Sequence, residues 1–273
     1  MSLLFNNINV SVNGSNIIAE SVNISESSPQ KPIFNLNNKS PYGFVPTRVT
    51  NNISIEYLLE PANDPGYPVI TGLLFNRSLP ISSYIGIGNV YMTGYLTSYS
   101  FQLTPGSLVK INSQYDVFSA ITGNIINQSS GDSSIYDPTN SSGIAHYWSA
   151  AFYSGNNIAD NKVLQMDYNI HIDVVPIYGL GDSVPKQIYF DGIVEDINIL
   201  GETQNNPTYT GQYINNLFPN LGTLRLNNIA SQWSPASSAS INFSLSGFIM
   251  EEMTIPMNTS SLIFFNTKLH RYT

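Results

Sequence analysis

Hydrophobic and polar residues alternate along the stretch Tyr95–Phe118, on both sides of the short segment Thr104–Ser107. On each side the odd positions are mostly apolar or aromatic, and the even positions are mostly polar. A period of two is typical of strands with one buried and one solvated face. Pro105 and Gly106 occupy the positions of a tight turn where proline fixes φ and glycine accepts a positive φ. The pattern therefore predicts a β-hairpin.

The sequence of this hairpin is similar to a later segment, Gln232–Phe248, at a constant offset of 130 residues (235 − 105). Seven matches in register, including the turn proline, favour internal duplication over chance. We therefore predict two tandem β domains, residues 1–130 and 131–273, with an insertion near residues 201–228. The matched positions are Gln102, Thr104, Pro105, Ser107, Ile111, Asn112 and Phe118, which correspond to Gln232, Ser234, Pro235, Ser237, Ile241, Asn242 and Phe248.

Shorter patterns indicate the other elements of the first half. Asn13-Gly14 is a strong two-residue hairpin turn. Ile53–Leu59 alternates and predicts a strand, and Ile85–Met92 predicts a strand interrupted by glycines. Val69–Leu74 fits either a short helix or a short strand, because length does not separate them.

The second half contains the two best helix candidates, Ile144–Phe152 and Ile158–Met166. The predicted fold class is therefore mainly β, with two β-sandwich or barrel domains and one or two short helices. Within the duplication, Tyr168–Val174 corresponds by pattern to Ile53–Leu59, and Gln187–Gly192 resembles Asn89–Gly94 at an offset of 98 (187 − 89).

The segment Glu26–Thr50 contains four prolines and lacks clear periodicity. Such a length is unusual for a connection within a compact domain, so the segment is either disordered or laid against a neighbouring subunit. Its aromatic and aliphatic residues favour the second alternative, because a solvated linker rarely exposes such side chains. The candidate subunit-interface residues are Ile33, Phe34, Tyr42 and Phe44.

Composition narrows the classes of function. Charged residues make up 10% of the 273-residue chain and hydrophobic residues 42%, so a polar but largely uncharged surface covers an adequate core. The net charge of −8 argues against a grip on nucleic acid, which requires clustered lysine and arginine. The sequence has no cysteine, and we expect neither a signal peptide nor a membrane span.

The residues needed for catalysis do not form a recognisable group. His146, His171 and His270 lie on different elements and lack the spacing of a metal site. No phosphate-binding or dinucleotide loop is present in the sequence. Many tyrosines could suggest sugar binding, but those at the apolar positions of the hairpin, such as Tyr99 and Tyr115, favour core packing. We therefore expect no enzyme activity and no cofactor.

Four acidic residues have a possible role in a larger assembly. If ring symmetry gathered Asp116, Asp191, Glu195 and Asp196 on an inner wall, that wall would repel DNA phosphates. The alternative is that they are ordinary solubilising charges, and the sequence leaves both interpretations open.

Together these segments resemble tailed-bacteriophage tail tube proteins. The resemblance rests on Ile8–Gly14, the Ser25–Thr50 segment, Ile53–Tyr57 and the hairpin Gly94–Lys110, and it extends to the second half through the repeat. It implies a β-sandwich flanked by a helix, whose subunits join their sheets edge to edge around a DNA channel. It also implies rings that stack, with long loops reaching between them.

The resemblance implies a structural virion protein of the tail, assembled in the host bacterial cytoplasm, that contacts other tail or baseplate proteins and conducts viral DNA. The usual subunit of this family has one copy of the domain and forms six-membered rings. Because this chain is doubled, either a trimer with pseudo-sixfold symmetry or a hexamer is expected. The alternatives are a baseplate, neck or capsid-decoration protein, and a carbohydrate-binding virion module.

Overall fold

A computed structural model describes residues 9–27, 30–34, 40–46, 50–75, 81–121, 144–153, 162–203, 222–228, 240–254 and 263–273. In these ranges the protein is mainly β, with a single short helix and three open sheets rather than a closed barrel. This confirms the prediction of a mainly β fold with a short helix.

The elements of the first half are β1 (Val10–Val12), β2 (Ser15–Ile17), β3 (Ala19–Ser27), β4 (Gln30–Phe34), β5 (Pro41–Pro46), β6 (Thr50–Leu58), α1 (Gly66–Phe75), β7 (Ser82–Ile87), β8 (Val90–Leu103) and β9 (Lys110–Val117). The elements of the second half are β10 (Ala145–Tyr153), β11 (Lys162–Ile177), β12 (Gln187–Thr203), β13 (Thr223–Asn228), β14 (Ser240–Ser244), β15 (Ile249–Thr254) and β16 (Ile263–Tyr272).

The large sheet is antiparallel and contains strands from both halves of the chain. Its long path runs β3-β6-β9-β8-β11-β12-β16-β15, and β7, β1 and β2 extend from the N-terminal part of β8. The fourteen-residue strand β8 therefore pairs with β7 at its beginning and with β11 at its end, while β9 lies on its other side. One continuous hydrophobic core lies beneath these strands.

A smaller sheet, β10-β13-β14, packs against helix α1 and the inner face of the large sheet. The ring of Phe243 on β14 lies 5.2 Å from that of Phe101 on β8 and 5.0 Å from that of Tyr168 on β11. These aromatic contacts pack the small sheet across the line where the two halves join. A third sheet contains only β4 and β5.

The predicted hairpin at Tyr95–Phe118 is confirmed as β8 and β9. Its turn is closed by the Ser107 amide, which donates to the Thr104 carbonyl at 3.1 Å, and Gly106 has the positive φ of 78° that its position requires. The Asn13-Gly14 turn is confirmed as well. It joins β1 to β2, with φ values of 52° and 81°.

The ambiguous segment Val69–Leu74 lies within the helix α1. Asp64 begins this helix, because its Oδ2 accepts the Tyr67 amide hydrogen at 2.7 Å. Gly66 allows the helix to approach the sheet, since a Cβ built there would lie 2.6 Å from the Tyr99 ring. The Asp64 cap and the close contact at Gly66 therefore favour a helix over a strand for this segment.

Both helix predictions for the second half are wrong. Ile144–Phe152 falls on β10, which pairs with β13 through a bulge, and the described part of Ile158–Met166 begins β11. Residues 154–161 lie outside the described ranges. Pairing with distant strands overrides the local pattern here, as is common for short apolar runs.

Two separate domains are not confirmed, because β8 of the first half pairs with β11 of the second over Ser98–Leu103. The predicted second hairpin is described only in part. Its return arm is the strand β14, which pairs antiparallel with the preceding strand β13 in the small sheet, and the predicted turn at Ser234–Ser237 lies outside the described ranges.

The pairing order nevertheless repeats along the large sheet. The first four strands, β3-β6-β9-β8, and the last four, β11-β12-β16-β15, each place their strands in the chain order first, second, fourth and third. In this alignment β11 corresponds to β3 and β12 to β6. The predicted matches of Tyr168–Val174 to Ile53–Leu59, and of Gln187–Gly192 to Asn89–Gly94, therefore do not describe equivalent positions in the sheet.

Candidate assembly surfaces

The outer face of the large sheet is polar across all of its central strands. Alternate residues point inward to the core, as Ile55, Ile111, Tyr99 and Ile170 do, and their neighbours point outward. One ladder of directly opposed outward residues crosses seven strands: Ser21, Glu56, Asn112, Ser100, Asn169, Asp196 and His270. This face is a broad hydrogen-bonding surface with few cations.

Two of the four candidate lumen acids lie on this outer face. Asp116 on β9 accepts a hydrogen bond from the Asn52 amide at 3.0 Å, and Asp196 on β12 lies opposite Asn169 and His270. Asp191 is exposed and is the extra residue of a bulge in β12, at some distance along the strand. The structure therefore brings Asp116 and Asp196 onto one surface, and whether that surface lines a lumen stays a prediction.

The prediction that Glu195 faces a lumen is wrong, because its side chain is completely buried. Its carboxylate accepts hydrogen bonds from the Arg271 Nε at 2.9 Å and Nη2 at 2.6 Å, and from the Tyr168 hydroxyl at 2.5 Å. Arg271 also donates to the Ser246 carbonyl, and its guanidinium lies 4.5 Å from the centre of the Phe248 ring. This buried ion pair ties β16 to β12 and cannot face a lumen.

The sequence contains a signal for this pair. Glu195 occupies an inward position between Ile193 and Ile197, where a strand with one buried face otherwise carries aliphatic residues. A charge at such a position needs a buried partner. Arg271 could not be identified as that partner from sequence, because the pairing joins residues 76 positions apart.

A second buried acid, Asp64, lies beneath helix α1. Its carboxylate accepts hydrogen bonds from the Tyr57 hydroxyl at 2.6 Å and the Tyr99 hydroxyl at 3.2 Å, in addition to the Tyr67 amide. Burial raises the pKa of this carboxyl above its ordinary value, although these three hydrogen bonds and a fourth from the Gly66 amide act in the opposite direction. The group holds the helix on the sheet and is closed to solvent.

The candidate interface residues fall on a β-hairpin rather than an irregular loop. Ile33 and Phe34 lie on β4 and are 47% and 59% exposed, and β4 pairs with β5. Tyr42 and Phe44 belong to β5, and their side chains lie outside what the structure describes. The β4–β5 hairpin follows the end of β3 and precedes the start of β6, so it connects to the large sheet where β3 ends and β6 begins.

Sequence reasoning missed a second exposed apolar surface, at the end of the β11–β12 hairpin. We define the β11–β12 tip as five exposed side chains near this turn. They are Val175, Ile177, Leu180, Val184 and Tyr189. The missed signal is the run Val174-Val175-Pro176-Ile177, which places apolar residues on both faces of a strand that elsewhere alternates.

Three strands of the large sheet, β2, β3 and β15, pair on one side only among the described residues. β3 and β15 lie at the two ends of the long path, and the three-residue strand β2 ends the branch that leaves β8. An unpaired edge presents free N–H and C=O groups and is a ready site for adding another strand. β3 and β15 run in opposite directions, so β15 of one chain can pair antiparallel with β3 of another in a head-to-tail contact.

Two exposed tyrosines form a separate aromatic feature on the β7–β8 hairpin. The rings of Tyr84 and Tyr91 stack with centroids 5.6 Å apart and are 53% and 55% exposed. Tyr99 and Tyr115 are completely buried, which confirms core packing for these two.

The described residues contain no group of His, Asp or Glu side chains suited to hold a metal ion. His171 lies 3.2 Å from Asp173 on the exposed face of β11. No helix among the described residues is both long enough and apolar enough to cross a bilayer. No protein-family model matches the chain, and no curated protein matches it.

Proposed function

We propose that this chain is a structural virion protein that joins head to tail into rings, and that the rings stack into the tail tube of a tailed bacteriophage. The observation that carries the proposal is the pair of open edges, β3 and β15, at the ends of a sheet whose pairing order repeats. Successive chains joined through these edges would continue one sheet around a closed circle.

The directions of the strands are compatible with such a contact. All neighbours in the sheet are antiparallel, so β3 and β11 run one way while β8 and β15 run the other. The strand β15 of one chain can therefore pair with β3 of the next chain in the antiparallel sense in which β8 pairs with β11. Ring closure would pair the β3 and β15 edges, leave only the three-residue edge of β2 open among the described strands, and prevent endless growth.

The polar outer face supports a channel for DNA in this assembly. It presents serine, asparagine and glutamine, with Asp116 and Asp196 among them, and the whole chain carries a net charge of −8. Because cations are few on this surface, it would not hold the phosphates of passing DNA. The proposal requires no catalysis and no cofactor.

Electron microscopy of the purified protein tests the proposal. At high protein concentration we expect rings with threefold or sixfold symmetry, together with stacked tubes. Three chains would supply six four-strand units, and six chains would supply twelve. A protein that stays monomeric, or stops at small open oligomers, contradicts the tube proposal and favours a baseplate, neck or capsid-decoration role.

The stacked pair of Tyr84 and Tyr91 favours a second candidate, a carbohydrate-binding virion module. Exposed aromatic rings can stack on the apolar faces of sugars. The measurement is binding to an array of bacterial surface polysaccharides, with the Tyr84→Ala and Tyr91→Ala variants as controls. Binding that both substitutions abolish would support this candidate, and an absence of binding would exclude it.

A further inference from the structure

The small sheet has an edge strand, β14, that pairs on one side only among the described residues. β14 pairs antiparallel with β13, with Asn242 opposite Arg225, and no described strand lies on its other side. This edge belongs to a different sheet from β3 and β15, which the proposed ring uses. An open edge is a ready site for the addition of another strand.

The side chain of Tyr67, at the start of helix α1, occupies the middle of this edge. Its hydroxyl donates to the Asn242 carbonyl at 2.8 Å and accepts from the Asn242 amide at 3.3 Å. Both main-chain groups of Asn242 therefore point away from β13. In a hydrogen-bonded pair of an antiparallel ladder, one residue of the partner strand binds both of these groups. Here a single hydroxyl takes the place of that residue.

The position of this hydroxyl is fixed at both ends of the tyrosine. The Tyr67 amide donates to the Asp64 carboxylate at 2.7 Å, and two buried tyrosine hydroxyls hold the same carboxylate on the large sheet. The Tyr67 ring packs edge to face on the ring of Phe243, with centroids 5.4 Å apart. Helix α1 thus holds Tyr67 against the β14 edge from the length of one side chain away.

The sequence of β14 makes a second copy of the same strand a suitable partner for its edge. The strand reads Ser-Ile-Asn-Phe-Ser, with the apolar residues Ile241 and Phe243 buried and Asn242 and Ser244 exposed. If two copies pair antiparallel about Asn242, serine lies opposite serine and Ile241 lies opposite Phe243. The buried and exposed faces then match, as a twofold contact between identical surfaces requires.

We propose that Tyr67 determines which edges of this protein associate, because its hydroxyl closes the β14 edge against β14 of a second copy. Self-association is then left to the edges of the large sheet. The inference goes beyond the proposed function and does not depend on it, because the proposed ring does not use the β14 edge.

The first test is amide hydrogen exchange, resolved to single residues, in the wild-type protein and in Tyr67→Phe. This variant keeps the ring that packs on Phe243 and loses only the hydroxyl. We expect the Asn242 amide to exchange at least tenfold faster in the variant. The Phe243 amide is the internal control, because it faces β13 and should keep its wild-type rate. An unchanged rate at Asn242 overturns the inference.

The second test is cysteine cross-linking, with Asn242→Cys combined with either the native Tyr67 or Tyr67→Ala. In the proposed pairing the two Cα atoms at position 242 lie about 5.5 Å apart, a distance that a disulfide can span. The substitution at 242 also retains the main-chain groups that Tyr67 binds. We expect disulfide-linked dimers to form at least tenfold faster with Tyr67→Ala, because the edge is then open.

The matched control for cross-linking is Asn198→Cys, an exposed position on β12 in the large sheet, in the same two backgrounds. Its rate of dimer formation should not depend on residue 67. Equal rates for Asn242→Cys in both backgrounds, or an equal increase at Asn198→Cys, overturn the inference. If Tyr67→Ala does not fold, the exchange rates of Tyr67→Phe decide alone. A wild-type protein that forms no rings contradicts the proposed function and leaves both of these tests valid.

Discussion

At the scale of single residues, two buried carboxylates hold elements together that are distant in sequence. Asp64 joins helix α1 to β6 and β8, and Glu195 joins β12 to β16. Each is surrounded by donors that satisfy its oxygens, which is the condition under which a buried charge is tolerated. The partner of Glu195 could not be predicted from sequence, because Arg271 lies 76 positions away. Asp64 is different, since Tyr57 and Tyr67 are its neighbours in sequence and only Tyr99 comes from a more distant strand.

Asp64 is expected to make the stability of the protein depend on pH. Its pKa is raised in the folded state, so the folded state binds this proton more tightly than the unfolded state does. The contribution of Asp64 is therefore largest below the unfolded pKa of about 4, and it is lost as the pH rises through the folded value. Asp64→Asn removes this titration and retains an acceptor for the Tyr67 amide.

The measurement for Asp64 is the urea midpoint of the wild-type protein and of Asp64→Asn between acid and neutral pH. We expect the variant to gain stability relative to the wild type as the pH rises. A difference that is constant with pH, or that changes in the opposite direction, contradicts this account. Asp64→Ala should be less stable at every pH, by about 2–4 kcal/mol, because it loses the helix cap and leaves two tyrosine hydroxyls without their acceptor.

Breaking the Arg271–Glu195 pair should lower the free energy of unfolding strongly, whereas replacing both residues should lower it much less. Arg271→Met leaves the Glu195 carboxylate buried without its cation, so we expect a loss of about 3–5 kcal/mol in the free energy of unfolding. The double variant Arg271→Met, Glu195→Met should recover most of that loss. Lys268→Met, on the same strand, breaks a solvent-exposed pair with Glu251 and should have little effect on the free energy of unfolding.

Chemical denaturation measures all three variants of this comparison. A loss for Arg271→Met no larger than that for Lys268→Met would show that the buried pair does not hold β16 in place.

At the scale of elements, β8 requires a glycine at position 94, close to the point where its partner on one side changes from β7 to β11. A Cβ built on Gly94 would lie 2.9 Å from the Ile85 Cδ1, 3.1 Å from the Tyr115 Cβ and 3.3 Å from the Val117 Cγ2. Gly94→Val should therefore destabilise the protein by about 1–3 kcal/mol through overpacking. The control is Gly192→Val on β12, where a Cβ would meet nothing within 4 Å.

Thermal melting distinguishes the two glycine variants. Equal shifts of the melting temperature would mean that the glycine acts through its backbone alone and not through the space around it. The pair is informative because the sequence pattern aligned these two glycines, whereas the structure places them in different surroundings.

Elements whose signals are local could be predicted from the sequence. The β8–β9 hairpin has alternation on both arms and a Pro-Gly turn between them, and the β1–β2 hairpin has Asn-Gly. The strand β10 and the start of β11 lack such signals, and their conformation depends on partners more than thirty residues away. The β11–β12 tip was missed for a different reason, since exposure of an apolar residue depends on where its neighbouring strands end.

At the scale of the whole molecule, the repeated pairing order predicts which residues meet when two chains join. Asn169 on β11 lies opposite Ser100 on β8. The same ladder of opposed residues begins with Ser21 on β3 and ends with His270 on β16, which lies opposite Ile249 on β15. If β15 of one chain pairs with β3 of the next in the register in which β8 pairs with β11, Ile249 of one chain lies opposite Ser21 of its neighbour.

Cysteine cross-linking tests this register, because the chain has no cysteine of its own. The variant Ser21→Cys, Ile249→Cys should form disulfide-linked oligomers on mild oxidation, and each single variant should not form extended ladders. Ser54→Cys with Ile249→Cys is the matched control, since Ser54 lies inside the sheet on β6. Rings without cross-links would reject the register and leave the ring proposal standing.

The pairing of β8 with β11 also sets an order of events during synthesis of the chain. β8 ends 59 residues before β11 begins (162 − 103), so the ribosome releases the whole first half before the partner of β8 exists. In that interval Tyr99 and Phe101 lack the cover that Phe243 later supplies, and one side of β8 is open. Nascent chains on the same messenger are therefore exposed to pairing with one another, and slow translation of the second half should lower the yield of folded protein.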